Sequence, residues 1–408
     1  MALDLERTAH QLDTMMSGLK DFSSVQTDRL GESLNLLEGF VQEVFLGKLD
    51  TSSGLFQWTP PIFPESPAKS IKEPSIPVDY SVVGVDGSHI DVNRHIPVDC
   101  FLINTGSAYL RYGAASEAHL SSSPKLFVPP DETVISDPNN PHQLLQIQGT
   151  ILGAIRAVKE METLAMHLKN EELANSEPVP VVGLVDGTLL LLDLLRPGIP
   201  DFVIDSVLTE GFLGALNDIK KTAEKREIVV ASYISLPGSD EIIDGVRMLA
   251  CPYTKSDCLY HCGDIKKGTR PCDSASEGLL DRDIMSSLLE EGGRSELFKS
   301  NFHVARNYYG DNEITFFYLN TGYEIARVEM PAWASEKRGN IDLVHAVVME
   351  QCRKGGGYPT ALMEAHEQAV ISTSDRQYFL NLVEEVLERN GIEFTTSQKD
   401  RSKRLRWL

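Results

Sequence analysis

The sequence contains one local pattern twice: a short Val-rich run that ends in an aspartate, a glycine and a hydroxyl residue. The two copies are Val82-Val83-Gly84-Val85-Asp86-Gly87-Ser88 and Val181-Val182-Gly183-Leu184-Val185-Asp186-Gly187-Thr188. Short Val-rich runs bounded by glycine are typical of buried strands, so each aspartate is expected at a strand exit beside a turn glycine. If the two strands are neighbours, Asp86 and Asp186 meet at one end of a sheet. Their oxygen atoms then suit Mg²⁺ or Mn²⁺ and chemistry on phosphates.

The composition indicates a globular protein that does not hold nucleic acid by its own charge. With 408 residues, 42% of them hydrophobic, the chain is long enough for more than one domain with a substantial core. Its net charge of −21 is the reverse of a basic nucleic-acid footprint, so either the substrate is not a polyanion or metal ions and a partner supply the positive field. No secretory signal or bilayer-length apolar stretch is present, and we expect a cytoplasmic protein without membrane contact.

The beginning of the chain has a helical pattern followed by a proline-rich stretch. Over residues 3–46 the coiled-coil spacing is carried by Leu30, Leu34, Leu37, Val41 and Val44. This pattern fits either a dimerisation arm or an amphipathic helix packed on its own domain. The recurring prolines from Pro60 to Pro77 exclude regular structure. We therefore expect a helical arm at 1–50, a linker at 51–77, a main domain at 78–376, and a C-terminal helix with a basic tail at 377–408.

The main domain is expected to be a mixed α/β fold. A strand at 80–85 precedes apolar runs at 97–104 and 108–112, typical of an antiparallel meander, and a polar loop at 114–140. Asn140-Pro141 is a helix-start signal, and the helical pattern continues to about residue 175. After the second aspartate strand we expect a helix and then strands at 228–234, 313–319 and 323–330, with helices at 340–352, 359–371 and 375–390. This order fits a ribonuclease H-like mixed sheet flanked by helices, with acidic residues at strand ends.

The long helix before Asp186 offers Glu160 and Glu162 as a third carboxylate. Position 162 shares a helical stripe with Ile151, Ile155, Val158, Ala165 and Lys169, whereas Glu160 lies on the opposite side with Arg156. A carboxylate that faces a protein interior is costly unless it is paired or binds metal. We therefore predict that Glu162 faces the core and completes the metal site. If the helix is rotated slightly, both glutamates are solvated, and the sequence leaves that alternative open.

A second element near the C-terminus offers a tyrosine and a histidine. Pro359 fits the first position of a helix that has Leu362, Ala365, His366 and Ala369 at core spacing, so Tyr358 and His366 lie near one stripe. A histidine on the core side of a helix is more often structural. Beside carboxylates, however, it becomes a candidate metal ligand or proton donor. Other classes are excluded, because no Walker motif, GxSxG elbow or HExxH sequence occurs.

Four of the six cysteines form a cluster within residues 251–272. Cys251, Cys258, Cys262 and Cys272 lie close together in sequence, with His261 among them. Clustered thiolates in a reducing compartment suit Zn²⁺ or an iron–sulfur cluster. The spacing lacks the paired CxxC of common zinc modules, so four free thiols in a surface insertion remain an equal alternative.

Taken together, these pieces resemble the NurA nuclease family, the DNA-end-processing partners of HerA helicases. The resemblance covers roughly 78–376 and is carried by Val85-Asp86-Gly87-Ser88, Val185-Asp186-Gly187-Thr188-Leu189, Gly293-Arg294-Ser295, Ile325-Ala326-Arg327-Val328-Glu329-Met330-Pro331-Ala332-Trp333, and Gly357-Tyr358-Pro359 through Ala365-His366 to Ala369-Val370-Ile371. The Tyr-Pro…Ala-His element is the most specific part. The second motif reads DGT where DGS is also familiar, which keeps a small hydroxyl. The Cys-rich insertion and the N-terminal arm go beyond the family pattern.

The resemblance implies a ribonuclease H-like fold and Mn²⁺-dependent (or Mg²⁺-dependent) DNA cleavage, both as a 5′→3′ exonuclease and as a single-strand endonuclease. The family's functional residues match Asp86, Asp186, Tyr358 and His366, and its helix glutamate matches Glu162 or Glu160. It also implies a homodimer that works with a HerA-type hexameric ATPase in DNA end resection and double-strand break repair. Two alternatives stay open: a non-catalytic adaptor that docks a ring ATPase, and an RNA-directed nuclease on the same fold. The basic run from Lys399 to Arg406 is expected to guide DNA or dock the partner, unless it is a solvated tail.

Overall fold

The computed structural model describes residues 4–56, 58–91, 98–170, 179–337 and 339–392. In chain order, the strands are β1 Ser70–Ile71, β2 Tyr80–Ile90, β3 Phe101–Tyr112, β4 Glu117–Phe127, β5 Val134–Asp137, β6 Asn140–Gln146, β7 Val181–Asp186, β8 Ile228–Ile234, β9 Arg294–Ser295, β10 Phe298–Lys299, β11 Ile314–Asn320 and β12 Ile325–Pro331. The mixture of long strands and helices confirms the predicted α/β class.

The α-helices in chain order are α1 Leu5–Glu38, α2 Gln42–Thr51, α3 Thr150–Lys169, α4 Asp201–Ile204, α5 Leu213–Ala223, α6 Glu241–Ala250, α7 Cys258–Cys262, α8 Asp281–Leu288, α9 His303–Tyr309, α10 Ala332–Ser335, α11 Asn340–Lys354, α12 Thr360–Ala369 and α13 Thr373–Arg389. A π-helical segment, Asp205–Phe212, joins α4 to α5. Among the described residues, no helix is long and apolar enough to cross a membrane.

The chain divides into two compact units. The first unit comprises Met1–Glu73, Ser235–His303 and Thr315–Val328, and its strands pair in the order β1, β9, β11, β12, with β10 also on β11. One hydrophobic core in this unit contains Leu37, Phe45 and Phe63, with Leu30 and Leu34 packed against it. The leucines of the predicted coiled-coil seam are therefore used inside their own unit. Val41 and Val44 are exposed, and Val41 lies between α1 and α2 rather than within one helix.

The second unit comprises Pro74–Ile234, Val304–Ile314 and Glu329–Leu408. Its main strands lie in the order β8, β7, β2, β3, β4, with β8, β7 and β2 parallel and the remaining pairs antiparallel. Helix α3 packs on β2, and α12 packs on β2 and β3. The parallel strands β7 and β8 are buried Val-rich runs, as expected for strands covered by helices.

Several predicted elements differ from the structure between residues 114 and 175. The predicted polar loop contains β4, an exposed edge strand paired with β3 along its whole length, and β5. The predicted helix start at Asn140-Pro141 is wrong, because these residues begin β6, which pairs with β5. Proline is tolerated there, because both strands of a two-stranded sheet are edge strands. Helix α3 begins only at Thr150 and ends at Lys169, and residues 171–178 lie outside the described part of the chain.

Two glycines let α12 approach the sheet more closely than a side chain allows. A Cβ atom on Gly84 would lie 2.2 Å from the carbonyl oxygen of Ala361, and one on Gly106 would lie 2.1 Å from that of Ala365. The helix presents alanines at these contacts, and both are fully buried. The contact between the α12 backbone and the strands therefore requires glycine at positions 84 and 106.

This close approach generates a stability prediction. Gly106→Ala should lower the free energy of unfolding by about 1–3 kcal/mol or more, because its methyl group overlaps main-chain atoms that cannot rotate away. Gly153→Ala is the matched control, because a Cβ there, in the first turn of α3, meets nothing within 4 Å. That control should be neutral or stabilising by up to about 1 kcal/mol. Denaturant unfolding of both variants decides the matter, and equal midpoints would contradict the packing argument.

Candidate active site

The parallel register of β2 and β7 places the two motif aspartates side by side. Val85 is the last β2 residue paired with β7, opposite Val185, so Asp86 and Asp186 directly follow the same pair. Strand β7 ends at Asp186, and Gly187 takes a positive φ of 87°. The strand-exit expectation is thus right for Asp186. It is wrong for Asp86, because β2 continues to Ile90 against β3.

Helix α12 brings His366 to Asp86. His366 Nδ1 lies 2.7 Å from Asp86 Oδ2, and 59% of the histidine side chain is exposed against 14% of the aspartate side chain. The histidine therefore lies at the open edge of the site rather than on the core side of its helix. The hydroxyl of Ser88 also donates to the Ala369 carbonyl oxygen at the end of α12. These contacts hold the aspartate motif and α12 together.

Tyr358 completes the other side of the site, next to Asp186. It precedes Pro359, which is the N-cap residue of α12 rather than its first helical residue, so the helix begins one residue later than predicted. Burial raises the pKa of Asp186 although its strand end is solvent-accessible, and a hydrogen bond from Tyr358 opposes that rise. The Tyr358 ring packs edge-on against Tyr233 of β8 at a centroid distance of 5.4 Å. A fixed ring orientation of this kind keeps the phenol directed at Asp186.

Glu160 is the helix glutamate that reaches this site. It is 6% exposed, and a Cβ on Gly87 would lie 2.5 Å from its Oε1 atom. Burial raises the pKa of Glu160 to about 8, the Arg156 guanidinium opposes this, and the charges of Asp86 and Asp186 add to it. Because the charges of both aspartates act on the Glu160 carboxyl group, the three residues form one acidic cluster.

The prediction that Glu162 faces the core is wrong. Glu162 is exposed, and its carboxylate pairs with Lys159 Nζ at 2.6 Å. The predicted stripe omitted the apolar residues that define the buried face of α3, and this face turns the helix so that position 160 points inward. The omitted residues are Leu152, Met161, Leu164 and Leu168.

Arg156 is a site residue that the sequence reasoning placed on the wrong side of the helix. Its Nε atom lies 3.2 Å from Glu160 Oε1, one helical turn away, and its Nη1 atom donates to the Gly87 carbonyl oxygen at 3.2 Å. The i,i+4 spacing of Arg156 and Glu160 was the available signal. The guanidinium partly neutralises the acidic cluster from one side.

One structural observation indicates that these carboxylates suit a divalent cation. Glu160 Oε1 is buried without a hydrogen-bond partner, because the Arg156 contact lacks hydrogen-bond geometry. A buried carboxylate oxygen that makes an ion pair with Arg156 but accepts no hydrogen bond, beside two more carboxylates, matches the hard oxygen ligands of Mg²⁺ and Mn²⁺. Within the described residues, no three His, Cys, Asp or Glu side chains already stand in ligand arrangement around one point. Like charges repel when no cation lies between them, and Asp86 Oδ2 is engaged by His366.

The cysteine cluster gains no support as a metal site. Cys251, Cys258, Cys262 and Cys272 form no disulfide bond, and they line one small cavity in the first unit. Burial raises the pKa of the Cys262 thiol, and it raises that of Cys272 to about 12, which favours the protonated form over the metal-binding thiolate. No metal-ligand group occurs in the described part of the chain. The expectation of bound Zn²⁺ or an iron–sulfur cluster is therefore not supported.

The fold and this site define a mixed α/β protein whose acidic residues converge where two parallel strands end their pairing. The family model of the NurA domain matches residues 80–371, more than half of the chain. The chain therefore belongs to the NurA family, which confirms the family expected from its motifs. No curated protein matches the chain.

Solved structures similar to this chain include two of NurA. The crystal structure of NurA bound to dAMP and manganese is 13% identical, with 78% of this chain and 90% of that chain covered and a TM-score of 0.37. The crystal structure of NurA with manganese is 12% identical, with coverages of 90% and 98% and a TM-score of 0.38. The Argonaute structure of Aquifex aeolicus is 11% identical, with 74% and 29% covered and a TM-score of 0.25. The family assignment rests on the domain match.

The raised pKa of Glu160 predicts a pH dependence of stability. In metal-free protein, folded Glu160 keeps its proton up to about pH 8, whereas the unfolded chain releases it near 4.5. The folded state therefore binds more protons across this window, and the free energy of unfolding falls as pH rises through it. Glu160→Gln removes this loss. Between pH 5 and pH 8, the free energy of unfolding of the variant should therefore rise relative to that of the wild type by roughly a few kcal/mol.

Urea unfolding in EDTA at pH 5, 6.5 and 8 measures this effect. The Glu162→Gln variant serves as the control, because its exposed side chain should leave the wild-type pH dependence unchanged. Parallel pH profiles for the wild type and Glu160→Gln would show that the buried carboxyl group is not protonated in the folded state.

Proposed function

We propose that this protein is a divalent-metal-dependent nuclease that cleaves DNA, with Mn²⁺ or Mg²⁺ bound at the acidic cluster. The observation that carries the proposal is the Glu160 carboxylate, which is buried without a hydrogen-bond partner for Oε1 beside Asp86 and Asp186. Burying the Glu160 carboxyl group beside two further carboxylates is costly, so packing alone does not account for it. A ribonuclease H-type arrangement of the acidic strands is part of the same proposal.

Asp86, Asp186 and Glu160 would hold the metal. His366 lies 2.7 Å from Asp86 and can either add a ligand or hold Asp86 in place. When bound, the metal supplies Lewis acidity, which lowers the pKa of an attacking water and stabilises charge on the phosphate. The three carboxylates would fix the position of that chemistry where the parallel pairing of β2 and β7 ends.

His366 and Tyr358 are the proton-carrying side chains at this site. His366 is largely exposed and so can exchange protons with solvent, which suits a general acid or base for a leaving or attacking oxygen. Tyr358 holds Asp186 through a hydrogen bond, and its ring is braced by Tyr233. Its phenol would orient a phosphate oxygen on the Asp186 side of the site.

The charge of the chain favours a partner that delivers the nucleic acid. A protein with a net charge of −21 repels a phosphate backbone except at its metals. A ring-shaped ATPase of the HerA type, which the family resemblance implies, would enclose DNA and drive it into the site. We therefore propose 5′→3′ and single-strand cleavage by a homodimer within such a complex, acting in DNA end resection.

Metal-dependent cleavage by purified protein tests the proposed activity. Asp86→Asn, Asp186→Asn and Glu160→Gln should each lower the cleavage rate of labelled single-stranded DNA in Mn²⁺ by roughly 10²-fold or more, because each removes a charged ligand and keeps the side-chain shape. Glu162→Gln is the matched control and should cleave like the wild type. A gel assay with and without EDTA gives the rates, and circular dichroism confirms that each variant is folded.

Three outcomes would contradict parts of this proposal. Wild-type cleavage by folded Glu160→Gln would remove Glu160 from the metal site. Cleavage of labelled RNA in preference to DNA would assign the enzyme to RNA. A wild-type protein that cleaves neither substrate with Mn²⁺ or Mg²⁺ would favour a non-catalytic adaptor.

Co-purification with a HerA-type ATPase tests the partner. We expect light scattering to give a dimer, and we expect the complex to resect DNA ends faster than the nuclease alone. A monomer with full processive activity and no affinity for the ATPase would rule out this part of the proposal.

A further inference from the structure

The turn that follows Asp186 is held by a buried glutamate from β12. Glu329 is 1% exposed, and its Oε2 atom accepts two hydrogen bonds, from the Thr188 hydroxyl at 2.9 Å and from the Leu189 amide at 2.8 Å. The Thr188 hydroxyl in turn accepts from the Leu190 amide at 3.0 Å. The carboxylate oxygen therefore holds Thr188 and Leu189 directly, and Leu190 through the Thr188 hydroxyl.

A buried tyrosine from α9 binds the same turn further along. Tyr309 is 2% exposed; its hydroxyl donates to the Leu189 carbonyl oxygen at 2.9 Å and accepts from the Leu191 amide at 2.8 Å. Burial raises the pKa of Tyr309, and the charge of Glu329 adds to this, so the hydroxyl stays protonated. Glu329 and Tyr309 together engage the main chain of Leu189 from both of its polar groups.

This turn needs an external support. The chain leaves β7 at Asp186, Gly187 takes a positive φ, and regular structure resumes only in the short 3₁₀ helix Leu192–Leu195. The Gly187 amide donates to the Tyr233 carbonyl oxygen at 3.0 Å, which fixes the first residue of the turn. Beyond it, buried amides have no strand partner, and each would cost free energy if left unpaired.

We propose that Glu329 and Tyr309 are positioning residues for Asp186: their hydrogen bonds to residues 188–191 fix the turn that sets the direction of the Asp186 carboxylate. This role rests on the proposed metal-dependent function. Neither side chain is assigned contact with metal or substrate. Groups that orient a metal ligand from behind are often worth about 10–100-fold in metal affinity.

The charge of Glu329 matters to this role. A carboxylate oxygen can accept two hydrogen bonds, and hydrogen bonds to charged acceptors are stronger than those to neutral ones. Glu329→Gln keeps the shape but removes the charge, and Tyr309→Phe removes only the hydroxyl. The two variants therefore loosen the turn by different chemistry while leaving Asp86, Glu160 and Asp186 intact.

Two readouts separate positioning from a purely structural role. The first is amide hydrogen exchange in metal-free protein, where Glu329→Gln should speed exchange at Leu189 and Tyr309→Phe at Leu191 by about tenfold or more. The second is Mn²⁺ affinity from the electron paramagnetic resonance signal of free Mn²⁺, where both variants should raise the Kd by about 10–100-fold. Neither measurement depends on cleavage of a substrate.

Tyr109→Phe is the matched control for the tyrosine variant. Its hydroxyl lies 3.3 Å from the Ser81 hydroxyl within the same unit, so the substitution also removes a buried hydroxyl contact but leaves the turn untouched. The control should keep wild-type exchange at residues 188–191 and wild-type Mn²⁺ affinity. If Glu329→Gln fails to fold, Thr188→Val removes one of its donors and should give a smaller effect in the same direction.

The outcomes distinguish this inference from the proposed function. Unchanged exchange at Leu189 and Leu191, or faster exchange with unchanged Mn²⁺ affinity, would overturn the positioning role while the metal site stands. A wild-type protein that does not bind Mn²⁺ would overturn the proposed function itself, and with it this role for Glu329 and Tyr309.

Discussion

The site depends on the close approach of α12 to the sheet. Gly84 and Gly106 leave no Cβ atoms between the strands and the helix, so the Ala361 and Ala365 carbonyls approach the strand backbone directly. A larger residue at either position would displace the helix outward. His366 would then move away from Asp86, 280 residues earlier in the chain. Glycine at both positions is therefore required to bring His366 to Asp86.

Electrostatics impose the opposite demand. Burial is the main reason why the pKa values of Asp186 and Glu160 are raised, and the negative charges of the neighbouring carboxylates add to the rise. Arg156 offsets part of it from one side. Proteins retain such unfavourable clusters of carboxylates at functional sites, because a bound cation attracts each carboxylate and outweighs their mutual repulsion.

The fold was predictable where burial leaves a mark on the sequence. The strand β8 has the predicted bounds, and β7, β11, β12 and the helices α11 and α12 lie within a few residues of them, because apolar periodicity specifies buried elements. The strand β4 was missed because its Ser-rich side chains are exposed and its existence depends on main-chain pairing with β3. The helix-start signal of Asn140-Pro141 was likewise overridden by strand pairing with β5.

The sequence by itself determined the family. It also predicted Asp86, Asp186, Tyr358 and His366 as site residues, because they lie in motifs whose local pattern is distinctive. Only the tertiary structure decided between Glu160 and Glu162, since a helix can turn by a fraction of its circumference without changing its sequence. Packing of Met161, Leu164 and Leu168 sets that rotation. The support of the Asp186 turn by Glu329 was also invisible in the sequence, because it joins residues 140 positions apart.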